Sequence, residues 1–522
     1  MADISLPADD SVSLKTWIAV GGSLIGAFMA VLNIQITNAS LPDIEGGIGT
    51  GGVNGAWVIT AYLIGEIVVI PMTGYLSRVF SLRRYLIVNT ALFLLFSVAC
   101  GQASTLPQMI VLRGLQGFSG GVLIPLAFTI IVSMLPPAKR PMGLAAFAVT
   151  ATFAPAIGPT IGGWLTDTYG WPTIFYLNLL PGVVMLSALI YGLPRAPMQL
   201  HLLRRADWRG MLLMAVGLAS LQTVLDEGNV DDWFGSPFIV KLSLLSAAAL
   251  IGFVVLQLRS DEPLLQLRLL LRRNFGFGTL SNFLLGFALY GSAYLLPQYL
   301  AVSQGLNSQQ AGEVMAWTGL PQLLIIPFVP QLMQRFDSRV LIGLGLMIFA
   351  ASCFMNLHLD ANYSGPQLFV PDVTRAVGQA LAMTPLSALA MVGVAPDEAG
   401  SASALFNMLR NLGGAIGTAA LETFFTQREQ FHSFIINAQV SGLQPATQER
   451  LSTLQHHFML HGTPDPIGAM HRAFVAIGGV IRAQATLMGY ADCFGMLGVV
   501  LLGAALSVTA LSKGAGSGGA AH

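Results

Sequence analysis

Fourteen apolar runs, each of roughly 18 to 28 residues, follow one another along the chain, and few folds accommodate such a string. They cover residues 17–41, 54–76, 84–104, 107–134, 142–165, 171–193, 208–226, 237–258, 275–298, 310–333, 339–357, 367–393, 400–425 and 484–510. A run of this length spans the hydrocarbon layer as a helix, the one open-chain structure that satisfies every backbone donor and acceptor inside lipid. The sequence therefore predicts an all-α polytopic membrane protein. Composition agrees, since 54% of the 522 residues are hydrophobic and 10% charged, with a mean hydropathy of +0.68. The first run follows a polar lead with a single Lys15 and is too long for a signal peptide, so it is expected to stay as a helix. A net charge of zero offers no basic surface to nucleic acid. Cys100, Cys353 and Cys493 lie within apolar runs and imply no disulfide framework. No nucleophile and base constellation, HExxH or nucleotide loop occurs, so neither enzyme chemistry, ATP nor a cofactor is expected.

Charge placement orients the helices, because Lys and Arg near helix ends are retained on the cytoplasmic side. With the N-terminus inside, the cytoplasmic turns hold Arg78, Arg83, Arg84; Lys139, Arg140; Arg195, Arg204, Arg205, Arg209; Arg259, Arg268, Arg272, Arg273; and Arg335, Arg339. The short outward loops at 42–53, 105–106, 166–170, 227–236, 299–309 and 358–366 contain no Lys or Arg. Both termini are thus expected in the cytoplasm. The basic residues of the outward segment 426–483 break no rule, since long loops translocate regardless of charge. Its five histidines show no metal-ligand spacing, and a solvated helical hairpin is expected there.

The chain also repeats itself. Setting IPMTGYLSRVFSLRRYLI from Ile70 against IPFVPQLMQRFDSRVLIG from Ile326 aligns Ile70/Ile326, Pro71/Pro327, Leu76/Leu332, Phe80/Phe336 and Arg83/Arg339 at a constant offset. LPQMIVLRGLQGFSGGVLIPL around Arg113 then parallels GPQLFVPDVTRAVGQALAMTPL around Arg375, and GPTIGGW parallels GGAIGTA. The expected organisation is a cytoplasmic N-terminus (1–16), a six-helix half (17–193), a linker with two inserted helices (194–274) and a second half (275–510) that includes the loop 426–483. A disordered tail (511–522) completes it. Repeated halves suit a rocking transporter whose site lies between them.

LNIQITNASLP, GYLSRVFSLRR, LRGLQGFSGG, APAIGPTIGG and ASALFNMLRNLGGAIGTAALET occur in that order along nearly the whole chain. With them the chain resembles the major facilitator superfamily, and within it the fourteen-helix drug:proton antiporters of the EmrB/QacA type. The resemblance implies two six-helix bundles plus an inserted pair. It also implies proton-coupled export of lipophilic or amphipathic drugs and toxic compounds across a bacterial inner membrane. The loop opening QREQFH is EmrB-like, which implies a periplasmic adaptor and an outer-membrane channel as partners. By resemblance the loop motif comprises Gly74, Arg78, Arg83 and Arg84, the gating antiporter motif Gly158, Pro159, Gly162 and Gly163, and the helix 13 motif Arg410, Gly413 and Gly417. Two positions depart from the family pattern. In the loop motif the family's acid falls at Arg78 and its glycine at Ser81; in helix 1 the family's aspartate falls at Asn33.

Asn33 cannot titrate, so a proton carrier must be sought among other acids placed deep in helices, which are costly there and mark function. Glu66, about 18 Å inside its helix, is the first candidate, with Arg113 as its expected partner. Asp492 is the second. Glu422 is expected at headgroup level, Arg375 and Arg410 are free to pair with these acids or with carbonyls, and Lys241, Glu313 and Asp372 are expected to snorkel. Asn33, Gln35 and Asn38 bring uncharged donors and acceptors to helix 1, for substrate or for helix packing. The small-xxx-small spacings Gly158/Gly162 and Gly413/Gly417 allow close helix contact within the chain or between two copies. The 21 Met and 29 Phe permit an adaptable cavity, although most must face lipid or neighbouring helices. Export of an endogenous metabolite such as a siderophore, and uptake by symport, stand as alternatives.

Overall fold

The computed structural model describes residues 12–50, 55–205, 207–260, 263–395, 398–441, 444–462 and 465–512, and every regular element among them is helical. The principal helices are α1 (Leu14–Ala39), α2 (Trp57–Val79), α3 (Leu82–Cys100), α4 (Leu106–Gly120 continuing as Leu123–Met134), α5 (Arg140–Tyr169), α6 (Leu179–Gly192), α7 (Trp208–Glu227) and α8 (Pro237–Arg259). They continue with α9 (Arg273–Gln298), α10 (Ser308–Met315, Leu320–Ile325 and Val329–Arg335), α11 (Ser338–Met355), α12 (Gly365–Ala390), α13 (Ala399–Gln439) and α14 (Pro466–Val508). α10 is broken because Pro321, Pro327 and Pro330 each lack the amide that a continuous helix needs. Side-chain caps begin several helices: Ser13 accepts from the Thr16 amide at α1, Asp207 from Gly210 at α7, and Asp465 from Ile467 and Gly468 at α14.

Among the described residues eleven helices are long and apolar enough to cross a membrane, and α5, bent by 45° beside Pro155, makes a twelfth. α12 and α13 fall outside that group. They are the helices that carry Asp372, Arg375 and Gln379, and Asn407, Arg410, Asn411 and Glu422, so their polar cargo lowers the hydropathy of elements that pack inside the molecule. In the segment 426–483, where a helical hairpin is expected, the structure corrects only the helix bounds 425 and 484. α13 runs straight on to Gln439, a helix covers Pro445–Leu460, and α14 begins at Pro466, forming a helical hairpin end. The N-terminal residues 1–11 and the tail 513–522 lie outside the described residues.

Two groups of helices organise the fold. α1 packs on α4, α5 and α6, while α4 also packs on α2 and α3; α13 and α14 pack on α9, and α11 packs on α12 and α14. The small-xxx-small faces lie inside these groups, which answers the question left open between packing and dimer contacts. Gly158 and Gly162 of α5 lie against Gln35 and Ile36 of α1, and Gly413 and Gly417 of α13 lie against the carbonyls of Phe283 and Phe287 of α9. A methyl group at Gly158, Gly413 or Gly417 would collide with the facing helix, and one at Gly162 would crowd Ile36. Between the groups, α2 and α4 meet α13, and α5 meets α10 and α12. Gly74 of α2 backs onto Gly400 at the arginine-rich end, where Ser403 Oγ also donates to the Pro125 carbonyl at 2.9 Å. Towards the hairpin end, Thr160 of α5 sits against Gly312 of α10. The interface is therefore closed at both ends around a central space. The inserted α7 lies against both α2 and α13.

Candidate functional site

The central space lies between the two groups and is narrow. Its walls are apolar at Val31, Pro155, Leu289, Ala293, Met315 and Met383, and polar at Gln35, Tyr290, Thr318, Arg375, Gln379 and Arg410. Residues of both groups contribute, so any relative motion of the groups reshapes it.

Glu66 lies beside this space at the junction of α2 with α13 and is 3% exposed. Its Oε1 accepts from Asn411 Nδ2 at 3.1 Å, a bond joining positions 345 residues apart, while its Oε2 has no partner. Tyr290 of α9 donates to Asn411 Oδ1 at 3.4 Å, which turns the amide's NH₂ towards Glu66. Asn411 follows Arg410 of the cavity wall directly, so the carboxylate's partner and a cavity cation share one turn of α13.

Arg113 is not the partner of Glu66. It is fully buried and donates to Asn33 Oδ1 at 2.7 Å, Gln116 Oε1 at 2.7 Å and the Val58 carbonyl at 3.1 Å. The Tyr62 ring covers its guanidinium at 4.4 Å and Phe175 flanks it at 5.7 Å. Arg113 turns to Asn33 of α1 and Val58 of α2 within its own group, whereas Glu66 turns to Asn411 of α13 across the interface. Asn33, at the position where the resemblance implies an aspartate, is thus an acceptor for a buried arginine. Gln116 Nε2 extends the network to Ser97 at 2.7 Å, and Asn178 reaches the same hydroxyl at 3.3 Å.

The other helix 1 amides divide. Gln35 lines the cavity, whereas Asn38, in the last turn of α1, is exposed and stands outside it. Asp492 belongs to neither the cavity nor the junction. Its Oδ2 binds Arg428 Nε at 2.5 Å and His432 Nε2 at 2.7 Å, tying α13 to α14 within one group. Glu422 accepts from Asn229 of the inserted pair at 3.4 Å. Asp372, expected to snorkel, is instead 2% exposed in a helix packed against α11, and its Oδ2 has no partner. Sequence reasoning also missed Asn411 and the pair Gln322 and Gln379, bonded at 2.7 Å. Asn411 carries no mark in the sequence other than its place beside Arg410.

The loop motif shapes the arginine-rich end. Arg78 is exposed over the Tyr75 ring, Arg83 donates to the Ile190 carbonyl at 2.7 Å, and Arg84 is exposed. Ser81, where the resemblance places glycine, has φ +64° and ψ 139°, a backbone conformation that side chains disfavour. Pro159 lies within α5 and Gly163 behind it is buried.

Two packed helical groups around a central space, with an ionisable residue at their junction, are the architecture of a membrane transporter. A family model described as Major Facilitator Superfamily matches residues 23–418, and the chain belongs to that family. It is a multi-pass membrane transporter and not an enzyme. It is 31% identical to the colistin resistance protein EmrB of Acinetobacter baumannii over 498 residues, covering 95% of this chain and 96% of the relative. It is likewise 31% identical to the multidrug export protein EmrB of Escherichia coli K12 over 432 residues, covering 83% and 84%. Among solved structures, the crystal structure of the human organic anion transporter MFSD10 (TETRAN) matches with a TM-score of 0.58 at 16% identity, covering 93% of this chain and 99% of that one. That likeness bears on the fold alone.

Proposed function

We propose that this protein is a proton-driven exporter that moves lipophilic or amphipathic toxic compounds from the cytoplasm or inner leaflet out of a bacterial cell, with Glu66 as the proton carrier. The observation that carries the reading is the bond from Asn411 to Glu66, which places a buried carboxylate, one oxygen unpartnered, across the junction of the two groups. A proton arriving at Glu66 removes the charge that Asn411 holds, and a motion separating α2 from α13 breaks the bond. Protonation and the opening of the interface are thereby linked. Substrate enters the same linkage because Arg410 lines the cavity one residue before Asn411.

The cavity supports the substrate class. Its apolar walls accept a lipophilic body, and Arg375 Nε and Gln379 Nε2, both without partners, offer donors to acceptor groups on that body. Export rather than uptake is favoured by the names of the relatives, one for colistin resistance and one for multidrug export. In this reading fourteen helices cross the inner membrane, both termini are cytoplasmic and the helical hairpin end projects outward. The hairpin exposes Phe434, Phe474 and Val475, an apolar surface suited to a periplasmic adaptor that leads to an outer-membrane channel.

Reconstitution into liposomes tests the proposal. With a pH gradient imposed, lipophilic drugs should release protons across the membrane in a substrate-dependent manner, and Glu66→Gln should abolish that release while exchange of labelled for unlabelled drug continues. Proton movement in the drug's own direction would instead favour symport.

A further inference from the structure

The inserted pair α7 and α8 has no role in the mechanism above, yet α7 is wedged against one helix of each group, α2 and α13. Its last turn brings two adjacent carboxylates, Asp226 and Glu227, to that junction at the hairpin end. Asp226 Oδ1 accepts from Gln222 Nε2 at 2.8 Å, but Asp226 Oδ2 is buried with no partner. Glu227 is 6% exposed, and its Oε1 is also buried without a partner. The turn that follows is fastened to α13: Asn229 Nδ2 reaches Glu422 Oε1 at 3.4 Å and Thr426 Oγ1 at 3.5 Å, and Trp233 Nε1 donates to Thr423 Oγ1 at 3.0 Å.

The charged surroundings are one-sided. Glu227 faces Asp226 and Asp231 from its own segment and Glu422 from α13. Asp226 faces Glu422 and, on α2, the uncharged Thr60. Tyr294 of α9 faces Glu422. Among the described residues, the cation nearest along α13, Arg428, is already bound by Asp492, and Lys241 on α8 is exposed. Two carboxylates of α7 and one of α13 therefore act on one another where α7 packs against α2 and α13, and among the described residues none of the three is in an ion pair. Ionised, they repel and push the helices apart; protonated, they gain donors that the unpartnered oxygens can use.

We infer that Asp226, Glu227 and Glu422 form a second proton-binding site, loaded from the side facing the hairpin end, whose occupancy closes that end of the transporter. The closed junction binds more protons than the open one, so acid favours closure and rising pH favours opening. This sign suits a proton-driven exporter, in which protons taken up outside should send the carrier back inward. It rests on the proposed orientation, and it assigns the inserted helices the task of sensing the outside proton pool.

Spin labels placed at two exposed positions, Val230 on the inserted turn and Gln427 on α13, test it in the full chain in lipid nanodiscs, with the three native cysteines left buried. The distance distribution should shift from short to long between pH 5 and pH 8. Asp226→Asn with Glu227→Gln should hold it short at both, and the single Glu422→Gln should reduce the shift without removing it. In a Glu66→Gln background the shift should persist; its persistence there while proton-coupled transport is lost separates this site from the central carrier. A distribution identical at both pH values, or a full shift surviving in a well-folded Asp226→Asn, Glu227→Gln protein, overturns the inference. Should that double variant not fold, an undiminished shift in Glu422→Gln overturns it equally.

Discussion

Arg113 in the first half and Arg375 in the second occupy matching places in the repeat, and they live in opposite circumstances. Arg113 is firmly held: three acceptors, two aromatic faces and no exposure. Arg375 stands over Phe349 at 5.7 Å, lines the cavity and keeps Nε without a partner. The same offset that pairs Ile70 with Ile326 pairs Glu66 with Gln322, so a position that is ionisable in one half is a neutral amide in the other, bonded within its own half to Gln379. The difference separates the tasks. In the proposed reading the first half supplies the proton carrier beside a polar scaffold, and the second half presents unsatisfied donors to whatever fills the cavity.

The largest expected effect breaks the asymmetry at its source. Glu66→Gln makes the junction amide-only on both sides, and substrate-driven proton release in liposomes should fall to that of protein-free vesicles. Adding Asn33→Asp should not restore it, because that side chain is held by Arg113 inside the first half, away from α13. Restored coupling would show that the helix 1 position, and not the junction, carries the proton.

Next come the arginines themselves. Arg113→Ala strands the acceptors of Asn33, Gln116 and Val58 in a dry site and leaves a void, at a cost of roughly 3–5 kcal/mol, which thermal unfolding in detergent should record as a large loss. Arg375→Ala should cost clearly less, since no hydrogen bond from its Nε is lost and what goes is its packing on Phe349 and its attraction to Asp372. It should weaken binding of acceptor-bearing drugs roughly tenfold, the worth of one charged hydrogen bond. Equal destabilisation by the two substitutions would dissolve the distinction between scaffold and binding surface.

Much of this arrangement could be read before any coordinates. Apolar run length located the helices, and the repeat offset brought Glu66 and Gln322, and Ser81 and Asp337, into register. What escaped were pairings between residues far apart in sequence. Nothing along the chain says that Glu66 will meet Asn411 or that Arg113 will turn to Asn33, because each choice depends on how one helix rotates against another. The full length of α13, though not the hairpin itself, escaped for a different reason. Once α13 leaves lipid its composition turns polar at Gln427, Arg428 and Glu429, so the hydropathy signal stops while the helix does not. Asp372 was misjudged because distance from a helix end stands in for access to water only when no neighbour covers that turn.

The smallest effect concerns the turns that precede α3 and α11, again matched by the repeat. Asp337 has an ordinary extended backbone, φ −61° and ψ 127°, and its carboxylate caps α11 by accepting from the Arg339 amide at 3.0 Å while also holding the Arg339 side chain. Ser81 begins α3 at φ +64° with no capping bond, and its buried hydroxyl has no partner. One half therefore starts its helix with a satisfied cap and the other with a strained residue. Ser81→Gly should relieve that strain and raise stability by about 1 kcal/mol, whereas Asp337→Ala should lower it by about as much through loss of the cap. Opposite shifts in unfolding temperature at matched positions would place the weaker turn in the half that carries Glu66. If Ser81→Gly instead stabilises the protein while slowing transport, the strain belongs to the motion itself, held at the turn between α2 and α3 so that α2 can move against Gly400.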